Sequence, residues 1–183
     1  MIAVTKLILD QQLISITIDR LCYQLIENHN DFSNTVLIGL QPNGVFLSKR
    51  IYNRLLTLNP KIEAKYGELD ISFFRDDFRR KELIVPSVTS IDFIVEGKRV
   101  VFIDDVLFTG RTIRAGLDAL LAFGRPASVE LLVLINRKFS RQLPIEADYI
   151  GKSIDTISSE KVKVQLLQPN GDDGVWLNSD EKQ

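Results

Sequence analysis

Cysteine, histidine and tryptophan each occur once in the 183 residues, and no apolar run approaches the ~20 residues a membrane-crossing helix needs. The lone Cys22 excludes a disulfide framework and a thiol-based zinc site, and it agrees with a reducing compartment such as the cytoplasm. Neither Cys22 nor His29 has the neighbours that a metal ligand or a nucleophile requires, so both are expected to be structural. The N-terminus lacks an apolar segment behind a basic start, so no export signal and no membrane partner are expected. There is also no excess of positive charge. A net charge of −1 and a pI near 5.9 argue against a general nucleic-acid surface, although a local basic patch fits within a neutral total. Repeats and low-complexity tracts are absent. With 45% hydrophobic and 26% charged residues, the chain supports one domain over 1–183 with a sizeable core.

Strand-like and helix-like segments alternate, which predicts an α/β domain whose central sheet is mostly parallel and flanked by helices. Asp10 is placed to cap a first helix with Ile14, Ile18, Leu21, Cys22 and Leu25 on one face and His29 near its end. Strands are expected at Val36–Leu40, Leu69–Phe74, Val100–Ile103 and Val129–Ile135. Leu47, Ile51, Leu55 and Leu58 mark a helix after the first of these, and Ile113, Leu117, Leu120 and Leu121 mark one after the third. Gly124 and Pro126 stop the latter. Val175, Trp176 and Leu177 fit either the core or an interface.

The richest stretch runs from Val100 to Thr112. Its apolar run ends in Asp104-Asp105, as for a buried parallel strand whose C-terminal end reaches the surface. Thr109, Gly110, Arg111 and Thr112 then open a helix, whose first N–H groups lack partners and carry the positive end of the dipole. A phosphate suits that turn: Gly110 permits close backbone approach, the threonine hydroxyls donate, and Arg111 adds charge. Two carboxylates one strand-end away would accept from ribose hydroxyls. A sugar 5-phosphate satisfies both groups.

Ligands of such sheets gather beyond the C-terminal strand ends, which draws attention to the other loops. Gln41-Pro42-Asn43-Gly44 follows a strand and precedes a helix, and it reads equally as a simple β-turn. The segment from Arg75 to Arg99 is charged at its start, interrupted by Pro86, and long enough for a flexible lid. Arg79, Arg80 and Lys81 in it also suit a solvated surface loop, and Arg137-Lys138-Phe139-Ser140-Arg141 reads most simply as a solvated charged face.

The Asp104 to Thr112 string resembles the phosphoribosyl diphosphate (PRPP) motif of type I phosphoribosyltransferases. Further stretches are similar to the pyrimidine-regulator (PyrR) family: Ile8-Leu9-Asp10, Gly67 to Ile71, Arg75-Asp76-Asp77, Gly124-Arg125-Pro126, Leu143-Pro144-Ile145 and Ala147 to Lys152. The resemblance spans nearly the whole chain. It implies a phosphoribosyltransferase fold, a uracil phosphoribosyltransferase activity yielding UMP, Mg²⁺ as cofactor, and attenuation through leader RNA. It further implies that Asp104, Asp105, Arg75 and Asp76 serve catalysis, that Thr109 to Thr112 bind the 5-phosphate, and that Gln41, Pro42, Asn43 and Gly44 bind pyrophosphate. That last loop has no Lys or Arg, unlike many members. No direct protein ligand to the metal is assigned, with Asp104 and Asp105 nearby. The base is expected at Phe108, Arg137, Ile150 and Gly151. Purine-using relatives carry an Asp at the position of Phe108, so the aromatic removes an acid/base group and favours a pyrimidine; core packing is its other reading. The first helix offers one Arg where RNA-binding members are basic, Asn30 and Glu146 stand where basic residues are common, and Asn136 replaces an Asp. A homodimer or higher homo-oligomer is the default assembly.

Overall fold

The computed structural model describes residues 4–75, 86–157, 159–166 and 173–179. The chain opens with β1 (Val4–Leu9) and α1 (Gln11–His29), continues through β2 (Thr35–Leu40), α2 (Gly44–Leu58) and β3 (Lys65–Leu69), and makes a 3-10 turn at Ser72–Phe74. After β4 (Arg99–Leu107) and α3 (Arg111–Leu120) come β5 (Ser128–Lys138), β6 (Tyr149–Asp155), β7 (Glu160–Gln165) and β8 (Gly174–Ser179). Five parallel strands in the order β3-β2-β4-β5-β6 form the central sheet. A second, antiparallel sheet, β1-β8-β7, ties the two ends of the chain together.

Alternation along the central strands divides the core between two faces. Leu37, Val101, Ile103, Leu132 and Leu134 pack against Ile14, Ile18, Leu21 and Leu25 of α1 and Leu47, Ile51 and Leu55 of α2. Their neighbours Val36, Ile38, Leu40, Val100, Phe102, Leu131 and Val133 pack against α3. Asp10 caps α1 as expected, accepting from Leu13 N at 2.8 Å. Burial pushes the Cys22 thiol up to about 12, consistent with an inert packing group. His29 is buried, and its Nδ1 and Nε2 lie 3.0 Å from Thr35 Oγ1 and 3.1 Å from Tyr149 Oη. Among the described residues no helix is long and apolar enough to cross a membrane.

Three expectations need correction. The strand expected at Leu69–Phe74 ends at Leu69, because Asp70 accepts from Ser72 N and Oγ and turns the chain. Leu117 of α3 and Leu121, in the 3-10 turn just after it, are exposed, and the buried stripe of α3 is Ile113, Ala115, Gly116, Ala119 and Leu120. The reason is close approach: a Cβ on Gly116 would meet Leu40 and Phe102 at 3.2 Å, so small residues face the sheet. The segment expected to act as a lid from Arg75 to Arg99 divides. Residues 76–85, with Asp76, Arg79, Arg80 and Lys81, lie outside the described residues, whereas Ser90 pairs with Glu68 and Val95 is buried in the α3-side core. At the other end of the chain, Val175 is buried, while Trp176 and Leu177 are half-buried on β8.

Candidate active site

Strand β4 outruns its neighbour β2. Its pairing with β2 stops at Gly39↔Ile103, while its pairing with β5 continues to Leu107↔Asn136. Asp104 and Asp105 therefore lie within the strand and not beyond its end, at the level where β2 gives way to the Gln41–Gly44 loop. That loop crosses directly over them. A Cβ on Gly44 would fall 2.4 Å from Ile103 O and 3.2 Å from Asp104 Oδ1, so glycine is required by close approach. The Gln41–Pro42 peptide is cis, and Gln41 is buried, donating through Nε2 to Val88 O at 2.7 Å.

Asp104 is buried and accepts from Asp105 N at 3.0 Å. Burial and then the charge of Asp105 raise its carboxyl well above the ordinary range, with Arg75 opposing the shift. Burial also raises Asp105, against backbone hydrogen bonding that favours its anion. The few backbone donors do not offset the desolvation of the pair, and hydroxyls or a cation arriving there would recover solvation that the fold removes. The donor set is oxygen only, which suits Mg²⁺. Among the described residues no group of three metal-binding side chains gathers anywhere. A metal at the pair would draw its remaining oxygens from a substrate or water.

Beyond Leu107 the chain bends through Phe108 and Thr109 to Gly110, whose φ of 91° places it in the left-handed region at the start of α3. Gly110 offers no side-chain cap, and Arg111 N makes only a long 3.4 Å hydrogen bond to Thr109 Oγ1. A cavity of about 300 Å³ is lined by Arg75, Asp104, Gly110, Arg111 and Thr112, so expected catalytic and phosphate residues share one space. Phe108 and Thr109 line it too, and they also line a second cavity of about 680 Å³ with Phe139, Ile157, Asp155 and Glu160. Phe108 thus sits at a junction, 37% exposed, and is not core packing.

Arg137 corrects the solvated-face reading of its segment. It is 5% exposed, its guanidinium lies 3.8 Å from the centre of the Phe108 ring, and it donates to Thr156 Oγ1 and to the Ile157 and Glu160 carbonyls. Arg141, from the same run, is a residue that sequence reasoning missed. It donates to the carbonyls of Leu107, Phe108, Arg137 and Ile145 and to Asn136 Oδ1, joining the ends of β4 and β5. Gln142 was missed as well: its N–H donates to Thr109 O at 3.0 Å and its Oε1 accepts from Arg111 Nε at 2.7 Å, bracing the phosphate turn. No spacing signal distinguishes these two from surface residues. Ile150 and Gly151 do not line the Phe108 cavities. Their carbonyls accept from Arg20 of α1 at 3.1 and 2.6 Å, and Ile150 lines an adjoining cavity of about 330 Å³ with Asn136, Arg141, Arg137 and Phe139, the last two bordering the Phe108 side as well.

A buried Asp104 with its neighbour Asp105 thus stands beside a glycine turn that starts a helix, at the C-terminal ends of a parallel sheet. Residues 4–169 match the phosphoribosyl transferase domain family, and the chain belongs to it. Within that family, relatives similar to this chain include proteins named PyrR and pyrimidine operon regulatory protein. The bifunctional protein PyrR of Lactococcus lactis subsp. cremoris (strain SK11) is 42% identical over 96% of this chain and 98% of its own length. That of Streptococcus uberis is 45% identical over 94% and 96% respectively. A hypoxanthine phosphoribosyltransferase from Staphylococcus aureus superposes with a TM-score of 0.64 at 21% identity, covering 81% of this chain and 77% of that one, and supports the fold.

Proposed function

We propose that this protein transfers the phosphoribosyl group of PRPP to uracil, forming UMP and releasing pyrophosphate. The bond between ribose C1 and the pyrophosphate oxygen breaks with its electron pair leaving on pyrophosphate, and C1 joins uracil N1, whose proton passes to water. The observation carrying the base assignment is Phe108: at the junction of the two cavities stands an aromatic ring backed by Arg137, where an acid would suit a purine. Thr109 to Thr112 anchor the 5-phosphate, Asp104 and Asp105 accept from the ribose hydroxyls, and the Gln41–Gly44 loop holds pyrophosphate. Arg75 adds positive charge in the same space. Mg²⁺ near the acidic pair would neutralise the leaving group. The protein contributes positioning and electrostatic stabilisation of an oxocarbenium-like transition state.

Nucleotide formation from PRPP and Mg²⁺, with uracil, orotate, hypoxanthine and guanine offered in parallel, tests this reading. UMP alone is expected. Turnover of a purine would overturn the role given to Phe108.

A second reading draws on the names of relatives, one of which is the pyrimidine operon regulatory protein of Lactococcus lactis subsp. lactis. In it the chain binds leader RNA in response to UMP or PRPP, with little or no catalysis. The positive charges near the site weigh against it, since Arg20, Arg137 and Arg141 are all spent on internal hydrogen bonds. Salt-dependent, UMP-tuned binding of a leader hairpin without turnover would favour it.

A further inference from the structure

We propose that Asp70 is a positioning residue whose carboxylate, bridging Ser72 and Ser87, sets the turn that delivers Arg75 into the Asp104 cavity. Resting on the site assignment above, this inference adds to it a residue that makes no contact with substrate. After β3 ends, the chain must reverse and carry Arg75 back over β4. The turn lies beside α3 but is loosely packed, because Phe73 is 67% exposed and Phe74 41%, and within the turn's approach only Ile71 is buried. Polar contacts supply the constraint. One carboxylate oxygen of Asp70 accepts from Ser72 N at 2.9 Å and Ser72 Oγ at 2.6 Å, and the other accepts from Ser87 N at 3.0 Å.

The Ser87 side is a fixed reference. Thr89 Oγ1 accepts from Asp70 N at 3.0 Å, Val88 O accepts from Gln41 Nε2 at 2.7 Å, and Ser90 exchanges both backbone hydrogen bonds with Glu68. Asp70 thus ties a poorly packed turn to a segment that the sheet and the Gln41–Gly44 loop already hold. The turn closes with Phe74 N donating to Ile71 O at 3.0 Å, and Arg75 follows it into the cavity lined by Asp104 and Thr109 to Thr112. Asparagine at position 70 would keep an acceptor for Ser72 but turn an amide NH₂ toward the Ser87 N–H, removing the tie across the turn.

The test compares wild type, Asp70→Asn, Arg75→Ala and the double variant, reading PRPP binding by calorimetry and, separately, the KM for PRPP, the KM for the base and kcat. Asp70→Asn is expected to weaken PRPP binding about tenfold, since a misplaced positioning group can cost that and more. The KM for the base should be unchanged, and adding Asp70→Asn to Arg75→Ala should cost little further. Ser72→Ala, which removes only the hydroxyl donor, should give a smaller loss in the same direction. Wild-type PRPP affinity in both Asp70→Asn and Ser72→Ala would overturn the proposal, as would the full loss recurring in the Arg75→Ala background. PRPP binding without uracil turnover in the wild type would instead strike the base assignment, leaving the four-way comparison intact.

Discussion

Gly44→Ala probes the join between the Gln41–Gly44 loop and the acidic pair. The added methyl would sit 2.4 Å from Ile103 O, against 3.4 Å for ordinary contact, and 3.0 Å from Asp104 Cα. Both obstacles are backbone of a central strand, with Ile103 paired on both sides and Asp104 paired with β5, so the loop must retreat by about 1 Å, and overpacking of this kind costs about 1–3 kcal/mol. In a chain of this size that is a drop in Tm of roughly 3–9 °C. The activity cost is larger: a shift of about 1 Å between positioning groups and the reacting centre costs about 100-fold. The expected result is a folded protein with kcat/KM for PRPP down about two orders of magnitude. Thermal unfolding and initial rates of UMP formation read the two effects. Wild-type kcat/KM would refute the reasoning, because the loop could then leave Asp104 without consequence.

Asp104→Asn with Asp105→Asn should abolish turnover and retain the fold. Because burial raises both carboxyls, the folded state binds more protons than the unfolded chain above about pH 4, so wild-type stability falls as pH rises through that region. The double variant should therefore match wild type near pH 4 and exceed its Tm at pH 8; a lower Tm at pH 8 would contradict the desolvation account. Phe108→Ala removes the surface that Arg137 covers, a contact of about 0.5–2 kcal/mol, and should raise the KM for the base while leaving that for PRPP unchanged in steady-state assays. Tyr149→Phe deletes a hydroxyl that lies 3.1 Å from His29 Nε2 and from Asn28 Nδ2 and donates to Glu130 Oε2 at 2.6 Å. Denaturant unfolding should show a loss of about 1–3 kcal/mol from the stranded partners, with turnover unaffected.

Local chemistry and periodicity, read along the chain, were enough for α1 with its Asp10 cap, for the all-buried β2, and for the strand, turn and helix around Asp104 to Thr112. Each of those signals is contained within about one element. Errors arose where a partner element set the outcome. Leu117 and Leu121 fit the helical period as well as Leu120 does, yet α3 presses so closely on Leu40 and Phe102 that Gly116 and Ala119 face the sheet instead. Leu69–Phe74 is apolar enough for a strand, but the register with β2 ends at Leu69 and Asp70 bends the chain.

The sequence by itself determined the local elements of the candidate site, because a strand ending in two acids, a glycine turn and a helix start are consequences of residue type and order. Tertiary structure alone decided what surrounds them. Arg137 and Arg141 look alike in a charged run, and only the convergence of the β4 and β5 ends turns one into a backing for Phe108 and the other into a clasp on four carbonyls. The antiparallel pairing of β1 with β8 is similarly invisible along the chain, since it joins residues such as Leu7 and Trp176 that nothing local relates. Buried polar groups must find partners wherever the fold provides them, and which partners those are is a property of the assembled core.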